Sequence, residues 1–78
     1  MSEALLDVQG LSCPLPVLKA NKVLRGLAPG ARLVILATDP AAAKDFPAYC
    51  AETGHTLVGA TEADGVWRFT LRKREAGA

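Results

Sequence analysis

The segment LVILATDP, residues 33–40, carries the clearest secondary-structure signal in the chain. Its first five residues form a continuous apolar run of strand length, which is typical of a strand in the interior of a sheet. Asp39 can cap a helix that has Pro40 at its first position. This segment therefore predicts a buried strand that is followed directly by a helix.

The residues before this segment predict a strand and a helix. Residues 4–8 alternate as a short strand. A helix is expected to open around residues 13–16 and to run to about Leu27, where Pro29 and Gly30 stop it. The core-facing stripe of that helix has helical spacing and consists of Val17, Ala20, Val23, Leu24 and Leu27. The order up to residue 40 is thus strand, helix, strand.

The residues after this segment predict a second helix and a hairpin. The helix should end at Gly54, but Pro47 leaves two alternatives: a kink at the proline, or a shorter helix capped by Asp45. Residues 56–61 and 66–72 are expected to pair around an Asp-Gly turn. Residues 75–78 are predicted to be a frayed tail.

The element order is β-α-β-α-β-β. A strand–helix–strand unit gives parallel strands, and the hairpin adds an antiparallel pair. The predicted fold class is α/β (α+β): a two-layer βαβαββ sandwich in which a four-stranded mixed sheet carries two helices on one face. Residues 1–78 are expected to form a single domain.

Composition excludes several classes of function. The chain has 78 residues, of which 50% are hydrophobic and 22% charged, and its formal net charge is +1. This near-neutral balance argues against a direct nucleic-acid partner, which would require a basic excess. No apolar run is long enough for a membrane span, and the first residues show no secretory signal, so a cytoplasmic location without a membrane partner is expected.

Cys13 stands where the first helix is predicted to start. Unpaired N–H groups and the helix dipole at such a position favour the thiolate, which is the reactive form of cysteine. Pro14 and Pro16 have fixed φ angles that stiffen the turn. They also disfavour helical backbone at Cys13 and Leu15, the residues before them, so the cysteine is expected on an extended approach rather than inside the helix. The pattern predicts one exposed, reactive sulfur.

Few types of chemistry suit this sulfur. The chain offers no convincing base or oxyanion hole for a cysteine hydrolase, and His55 is expected to be a surface or strand-start residue. A Cys-x-x-Cys redox motif is excluded because position 16 is proline. A thiol that carries a group, such as a persulfide, remains, and it needs no cofactor and no metal. Cys50 is interpreted as a core residue; a redox pair of Cys13 and Cys50 is the alternative, and it requires the two sulfurs to be close.

The segment LDVQGLSCPLPV, residues 6–17, resembles the signature of the TusA/SirA-like sulfur-carrier proteins. The shared pattern is Cys-Pro-x-Pro, preceded by Gly10 three positions before the cysteine and by Asp7 six positions before it. The resemblance continues through the Pro-Gly, Thr-Asp-Pro and Asp-Phe-Pro segments and Cys50 into the hairpin, and so covers essentially the whole chain.

This resemblance implies a βαβαββ sandwich in which Cys13 accepts sulfane sulfur as a persulfide. Asp7 and Gly10 would shape the approach to the cysteine, and Pro14 and Pro16 would fix the helix start. The implied donor is a cysteine desulfurase or a rhodanese-like protein, and the implied acceptor is a downstream sulfur-relay protein. The implied pathways are 2-thiouridine formation in tRNA, molybdenum-cofactor maturation and sulfur oxidation. Members devoted to tRNA thiolation often carry charged residues around the motif, whereas residues 12 and 15 here are neutral, so the pathway stays open.

A docking strip is predicted beside the cysteine. On a regular helix four residues lie within about 80° of one another and away from the core stripe: Leu15, Leu18, Lys22 and Arg25. Exposed apolar side chains rimmed by basic ones are typical of an interaction surface, although a merely solvated helix face has the same composition. Two alternatives to a carrier are a regulatory protein-interaction module of the same fold and a thiol redox protein that uses Cys13 and Cys50.

Overall fold

The computed structural model describes residues 3–75. In chain order its elements are strand β1 (Glu3–Asp7), helix α1 (Leu15–Arg25), strand β2 (Arg32–Ala37), helix α2 (Ala42–Thr53), strand β3 (Thr56–Ala63) and strand β4 (Val66–Arg72). The predicted element order and fold class are confirmed. Of the predicted tail, residues 76–78 lie outside the described residues, whereas the Glu75 carboxylate pairs with Arg72 at 2.6 Å.

The sheet is mixed and its strand order is β1-β2-β4-β3. β1 runs parallel to β2, and β4 runs antiparallel to both β2 and β3. β2 is therefore paired on both sides, as its uninterrupted apolar run predicted. Since β1 and β2 are parallel neighbours, the loops that follow them emerge at the same edge of the sheet.

The core lies between the sheet and the two helices. Its buried members are Val8, Ala20, Leu24, Leu33, Ile35, Ala37, Ala42, Phe46, Tyr49, Cys50, Phe69 and Leu71. Phe46 of α2 packs against Phe69 of β4 with ring centroids 4.8 Å apart and ring planes tilted by 35°, and both side chains are fully buried. Ala20 and Leu24 of the predicted α1 stripe are buried, and its other members pack against the core from its margin.

Helix α1 is shorter than predicted. It begins at Leu15, inside the segment 13–16 in which its start was predicted, and ends at Arg25, two residues before the predicted end at about Leu27. Leu15 is helical although the proline that follows it disfavours helical backbone at this position. The reason is local: the Leu15 N–H donates to the Ser12 carbonyl (2.9 Å), which closes a turn ahead of the helix. Pro16 then occupies the first turn, where a missing N–H costs little.

Helix α2 continues through Pro47 as one element. The Asp45 N–H donates to the Ala41 carbonyl (2.9 Å), so Asp45 lies inside the helix and the alternative in which it caps a shorter helix is wrong. Pro47 is exposed, so its ring lies on the side of the helix that faces away from the core. Gly54 ends the helix in the left-handed conformation (φ 86°), as predicted, and its N–H donates to the Cys50 carbonyl.

The β3–β4 hairpin turns at Asp64 and Gly65, which both have positive φ angles, 52° and 81°. Such a pair suits the two-residue turns that match the twist of a hairpin. The Gly65 N–H donates to the Glu62 side chain at 2.8 Å. The hairpin prediction is confirmed, and β3 extends two residues further into the predicted turn, to Ala63.

Candidate functional site

Residues 8–14, which we call the cysteine loop, connect β1 to α1 and present Cys13 to solvent. Two features bend this loop. The Asp7 carboxylate accepts a hydrogen bond from the Gln9 N–H (3.0 Å). Gly10 has a φ of 82°, a backbone conformation that residues other than glycine adopt only with strain. Asp7 and Gly10 therefore shape the backbone that leads to the cysteine.

The loop after β2 holds the cysteine loop. Thr38 Oγ1 accepts a hydrogen bond from the Gly10 N–H at 2.8 Å, and Asp39 Oδ2 accepts one from the Cys13 N–H at 2.6 Å. Asp39 also accepts the Ala41 N–H on Oδ1 (3.1 Å), which closes a turn ahead of α2. The prediction that Asp39 caps a helix with Pro40 at its first position is wrong, because that turn intervenes and α2 begins only at Ala42, with Ala41 at its cap position. The contact with Cys13 was not predicted. The signal that could have revealed it is the parallel pairing of β1 and β2, which places both loops at one edge.

Few backbone donors of α1 face the sulfur. Pro14 precedes the helix, Pro16 has no N–H, and the Leu15 N–H is bonded to a carbonyl. At most one first-turn N–H, that of Val17, is left to act on Cys13. Pro16 is buried, so it also contributes to packing.

The pKa of the Cys13 thiol is raised above its ordinary value, and the prediction of a lowered pKa is therefore wrong. The main cause is the Asp45 carboxyl group on α2, which lies close enough to accept a hydrogen bond from the thiol. Slight burial, the negative charge of Asp45 and that of Asp39 act in the same direction. Both carboxylates therefore favour the protonated thiol over the thiolate.

Cys50 has a structural position. It is buried in the core, and burial raises the pKa of its thiol, which makes it unreactive. Cys13 and Cys50 are both free thiols. The interpretation of Cys50 as a core residue is confirmed.

His55 follows α2 at the end opposite to Cys13. Its Nδ1 accepts a hydrogen bond from the Arg74 N–H at 3.1 Å, and its ring packs near Tyr49. Helix α2, about 18 Å long at 1.5 Å per residue, separates His55 from the start of α2, where Asp45 meets Cys13. His55 is a strand-start residue, as predicted, and not a base for this sulfur.

The predicted docking strip is exposed. Leu15 and Leu18 retain 45% and 56% of their accessible surface, and Lys22 and Arg25 are exposed as well. Leu15 is the first residue of α1 and follows Cys13 by two positions. The strip thus begins next to the cysteine and extends along α1.

The sequence matches the model of the family described as "Sulfurtransferase TusA" over residues 4–73. The chain belongs to the TusA family. It is 42% identical over 72 residues to the sulfur carrier protein TusA of Pseudomonas paraeruginosa, covering 92% of this chain and 91% of that protein. It is 43% identical over 68 residues to the sulfur carrier protein TusA of Allochromatium vinosum, covering 87% of this chain and 90% of that protein.

A solved structure supports the same assignment. The crystal structure of a SirA-like protein from Desulfitobacterium hafniense superposes with a TM-score of 0.81 at 26% sequence identity, covering 92% of this chain and 99% of that one. This TusA-family chain is a sulfur carrier, and the resemblance recognised in the sequence is confirmed. Within residues 3–75, no helix has the length and apolar character needed to cross a membrane.

Proposed function

We propose that Cys13 is the sulfur-carrying residue and that it holds sulfane sulfur as a persulfide between a donor and an acceptor protein. The observation that supports this most directly is the contrast between the two cysteines. Cys13 is exposed on a loop that other side chains hold in place, whereas Cys50 is buried in the core. A sulfur that two other proteins must reach in turn has to be exposed.

Transfer of sulfur from the donor to Cys13, which we call loading, involves no net oxidation or reduction. The Cys13 thiol loses its proton, and the thiolate attacks the terminal sulfur of a donor persulfide. A new S–S bond forms at Cys13 Sγ, the S–S bond of the donor breaks, and the donor cysteine leaves as a thiolate that takes up a proton. Delivery repeats the exchange in the opposite direction, with Cys13 as the leaving thiolate.

The raised pKa of Cys13 means that the thiol must be deprotonated before sulfur transfer begins. In the free protein Asp45 and Asp39 favour the protonated thiol, which is a poor nucleophile and a poor target for oxidants. The Cys13 thiol therefore has to lose its proton before it attacks the donor persulfide. Gly10 and the prolines at positions 14 and 16 limit the conformations of the cysteine loop while this happens.

The partners follow from the same chemistry. The donor is a cysteine desulfurase or a rhodanese-like protein, both of which carry a persulfide, and the acceptor is a further relay protein. Leu15, Leu18, Lys22 and Arg25 offer these partners an exposed apolar and basic surface beside Cys13. No nucleic acid, membrane or cofactor takes part apart from the carried sulfur. The protein is thus a sulfurtransferase that acts as a co-substrate.

The compartment that suits two free thiols is the cytoplasm, because it keeps cysteines reduced. The pathway served, whether tRNA 2-thiolation, molybdenum-cofactor maturation or sulfur oxidation, depends on which partners recognise the docking strip.

Intact mass measurement after incubation with a cysteine desulfurase and cysteine tests the proposal. The wild-type chain should gain the mass of one sulfur atom, and a reductant should remove it. Cys13→Ser should abolish the gain, whereas Cys50→Ala should retain it. A gain that persists in Cys13→Ser would contradict the proposal.

The same variants distinguish the alternative functions. A regulatory module would bind its partner equally well with and without Cys13 and would gain no sulfur. A redox protein would lose two hydrogen atoms of mass on oxidation, and this loss would disappear in both Cys13→Ser and Cys50→Ala.

A further inference from the structure

Two consecutive side chains from another part of the chain, Thr38 and Asp39, hold the backbone of the cysteine loop. They accept the N–H groups of Gly10 and Cys13 at 2.8 and 2.6 Å. Both directly follow β2, which is paired with a strand on either side. The backbone of Cys13 is therefore fixed to a central strand rather than to the helix that it precedes.

Asp39 shares its carboxylate between two elements. Oδ2 accepts the Cys13 N–H, and Oδ1 accepts the Ala41 N–H in the turn just before α2. Because these two bonds lower the pKa of Asp39, its carboxylate stays ionised at neutral pH, and hydrogen bonds to a charged acceptor are stronger than neutral ones. One rigid group thus fixes the cysteine backbone relative to α2.

We propose that Asp39 is a positioning residue for sulfur transfer, whose bond to the Cys13 N–H fixes the sulfur relative to the docking strip on α1. This inference rests on the proposed function of Cys13. The cysteine loop contains no helix or strand and includes a glycine with positive φ. The hydrogen bond from the Cys13 N–H to Asp39 therefore restricts the position of the sulfur. Transfer between two proteins requires the reacting sulfurs to be aligned within about 3–3.5 Å.

Asp39 acts on Cys13 in two ways that have opposite kinetic consequences. Its negative charge contributes to the raised pKa of the thiol, so removing the charge favours the thiolate and accelerates reaction with a small electrophile. Its hydrogen bond to the Cys13 N–H orients the sulfur, which matters for a docked protein donor but not for a small diffusing reagent. A residue that only stabilised the fold would not slow transfer from a protein donor while accelerating reaction with a small electrophile.

A pair of substitutions separates positioning of the cysteine from stabilisation of the turn before α2. In Asp39→Ser a single oxygen on a shorter side chain can still accept the Ala41 N–H, as serine does in turns, but it cannot also reach the Cys13 N–H. In Asp39→Ala both bonds are lost. Both variants remove the charge, so both should react faster than wild type with iodoacetamide at neutral pH.

Single-turnover sulfur transfer from a persulfidated cysteine desulfurase provides the decisive measurement. We expect both variants to load about tenfold more slowly than wild type at saturating donor, with the half-saturating donor concentration unchanged because the docking strip is intact. Asp39→Ala should in addition have a lower melting temperature, whereas Asp39→Ser should stay near wild type. Thr38→Val, which removes the acceptor for Gly10 while preserving the side-chain volume, should be slowed by a smaller factor.

The outcomes are distinguishable from failure of the proposed function. If wild-type protein never gains sulfur, the role of Cys13 itself is contradicted. If wild type loads and Asp39→Ser loads equally fast, the positioning role is overturned. It is also overturned if slower loading follows the melting temperature alone, with Asp39→Ala slow and Asp39→Ser normal.

Discussion

The Asp45 carboxyl group, on the first half of α2, lies beside the Cys13 thiol and raises its pKa above the ordinary value. The two residues are far apart in sequence and meet because the loops after β1 and β2 emerge at the same edge of the sheet. As a hydrogen-bond acceptor for the thiol and as a negative charge near the thiolate, the Asp45 carboxylate favours the protonated form. The pKa of Cys13 therefore depends on a residue of α2 as well as on the start of α1.

Replacing Asp45 by asparagine should make Cys13 more acidic. Asn has nearly the same size but no charge, so the repulsion of the thiolate disappears and the pKa of Cys13 falls. The rate of alkylation by iodoacetamide, measured against pH, should reach its half-maximum at a lower pH in Asp45→Asn than in wild type.

Asp64→Asn provides the matched control for this measurement. It removes the same charge at the hairpin turn, where asparagine tolerates the positive φ angle, and it lies outside the groups that act on the pKa of Cys13. An equal shift in both variants, or no shift in Asp45→Asn, would contradict the assigned cause.

Charge reversal on the docking strip should slow sulfur transfer without affecting the fold. The double variant Lys22→Glu, Arg25→Glu changes two exposed side chains, and complementary surface charge mainly accelerates association. We expect the half-saturating donor concentration to rise about tenfold or more, while iodoacetamide alkylation of Cys13 and the melting temperature stay close to wild type.

A double variant with the same change in net charge controls for non-specific electrostatics. Arg32→Glu combined with Arg68→Glu alters exposed residues on β2 and β4, away from α1. Its loading kinetics should match wild type. If both double variants are slowed alike, the docking strip has no specific role.

The fold was predictable because its strongest signals are local. The apolar run at residues 33–37, the Gly54 helix end and the Asp64-Gly65 turn each depend on a few adjacent residues, and the structure confirms all three. The start of α1 lies inside the predicted segment 13–16, and the bond from the Leu15 N–H to the Ser12 carbonyl accompanies a helical Leu15 despite the usual preference before proline.

The candidate site was only partly predictable. Cys13 and its exposure follow from the motif, but its pKa depends on Asp39 and Asp45, which approach it only in the folded chain. Such electrostatic effects depend on the distances between Cys13 and these carboxylates in the folded chain. The spacing of residues along one segment does not give those distances. The helix terminus alone predicts a lowered pKa for Cys13, which is opposite to the shift in the folded chain.

The Phe46–Phe69 contact should account for a large share of the stability of the core. Both rings are fully buried with centroids 4.8 Å apart, so Phe46→Ala removes a large apolar side chain and leaves a cavity. We expect a loss of about 3–5 kcal/mol in the free energy of unfolding, measured by urea denaturation. Leu18→Ala, on the exposed face of α1, should change it by less than about 0.5 kcal/mol.

The stability of the fold should decrease as the pH falls below about 6.5, the ordinary pKa of histidine. Partial burial and the positive charges of Arg74 and Lys73 lower the pKa of His55 in the folded protein. Between the lowered folded value and the ordinary unfolded value, the unfolded chain binds more protons, so protonation favours unfolding. Protonation of Nδ1 would also abolish its hydrogen bond with the Arg74 N–H. The melting temperature measured from pH 8 to pH 5 should therefore fall in wild type. It should fall less in His55→Gln, whose amide oxygen can accept the same N–H without titrating, and equal slopes in the two proteins would show that His55 is not the group responsible.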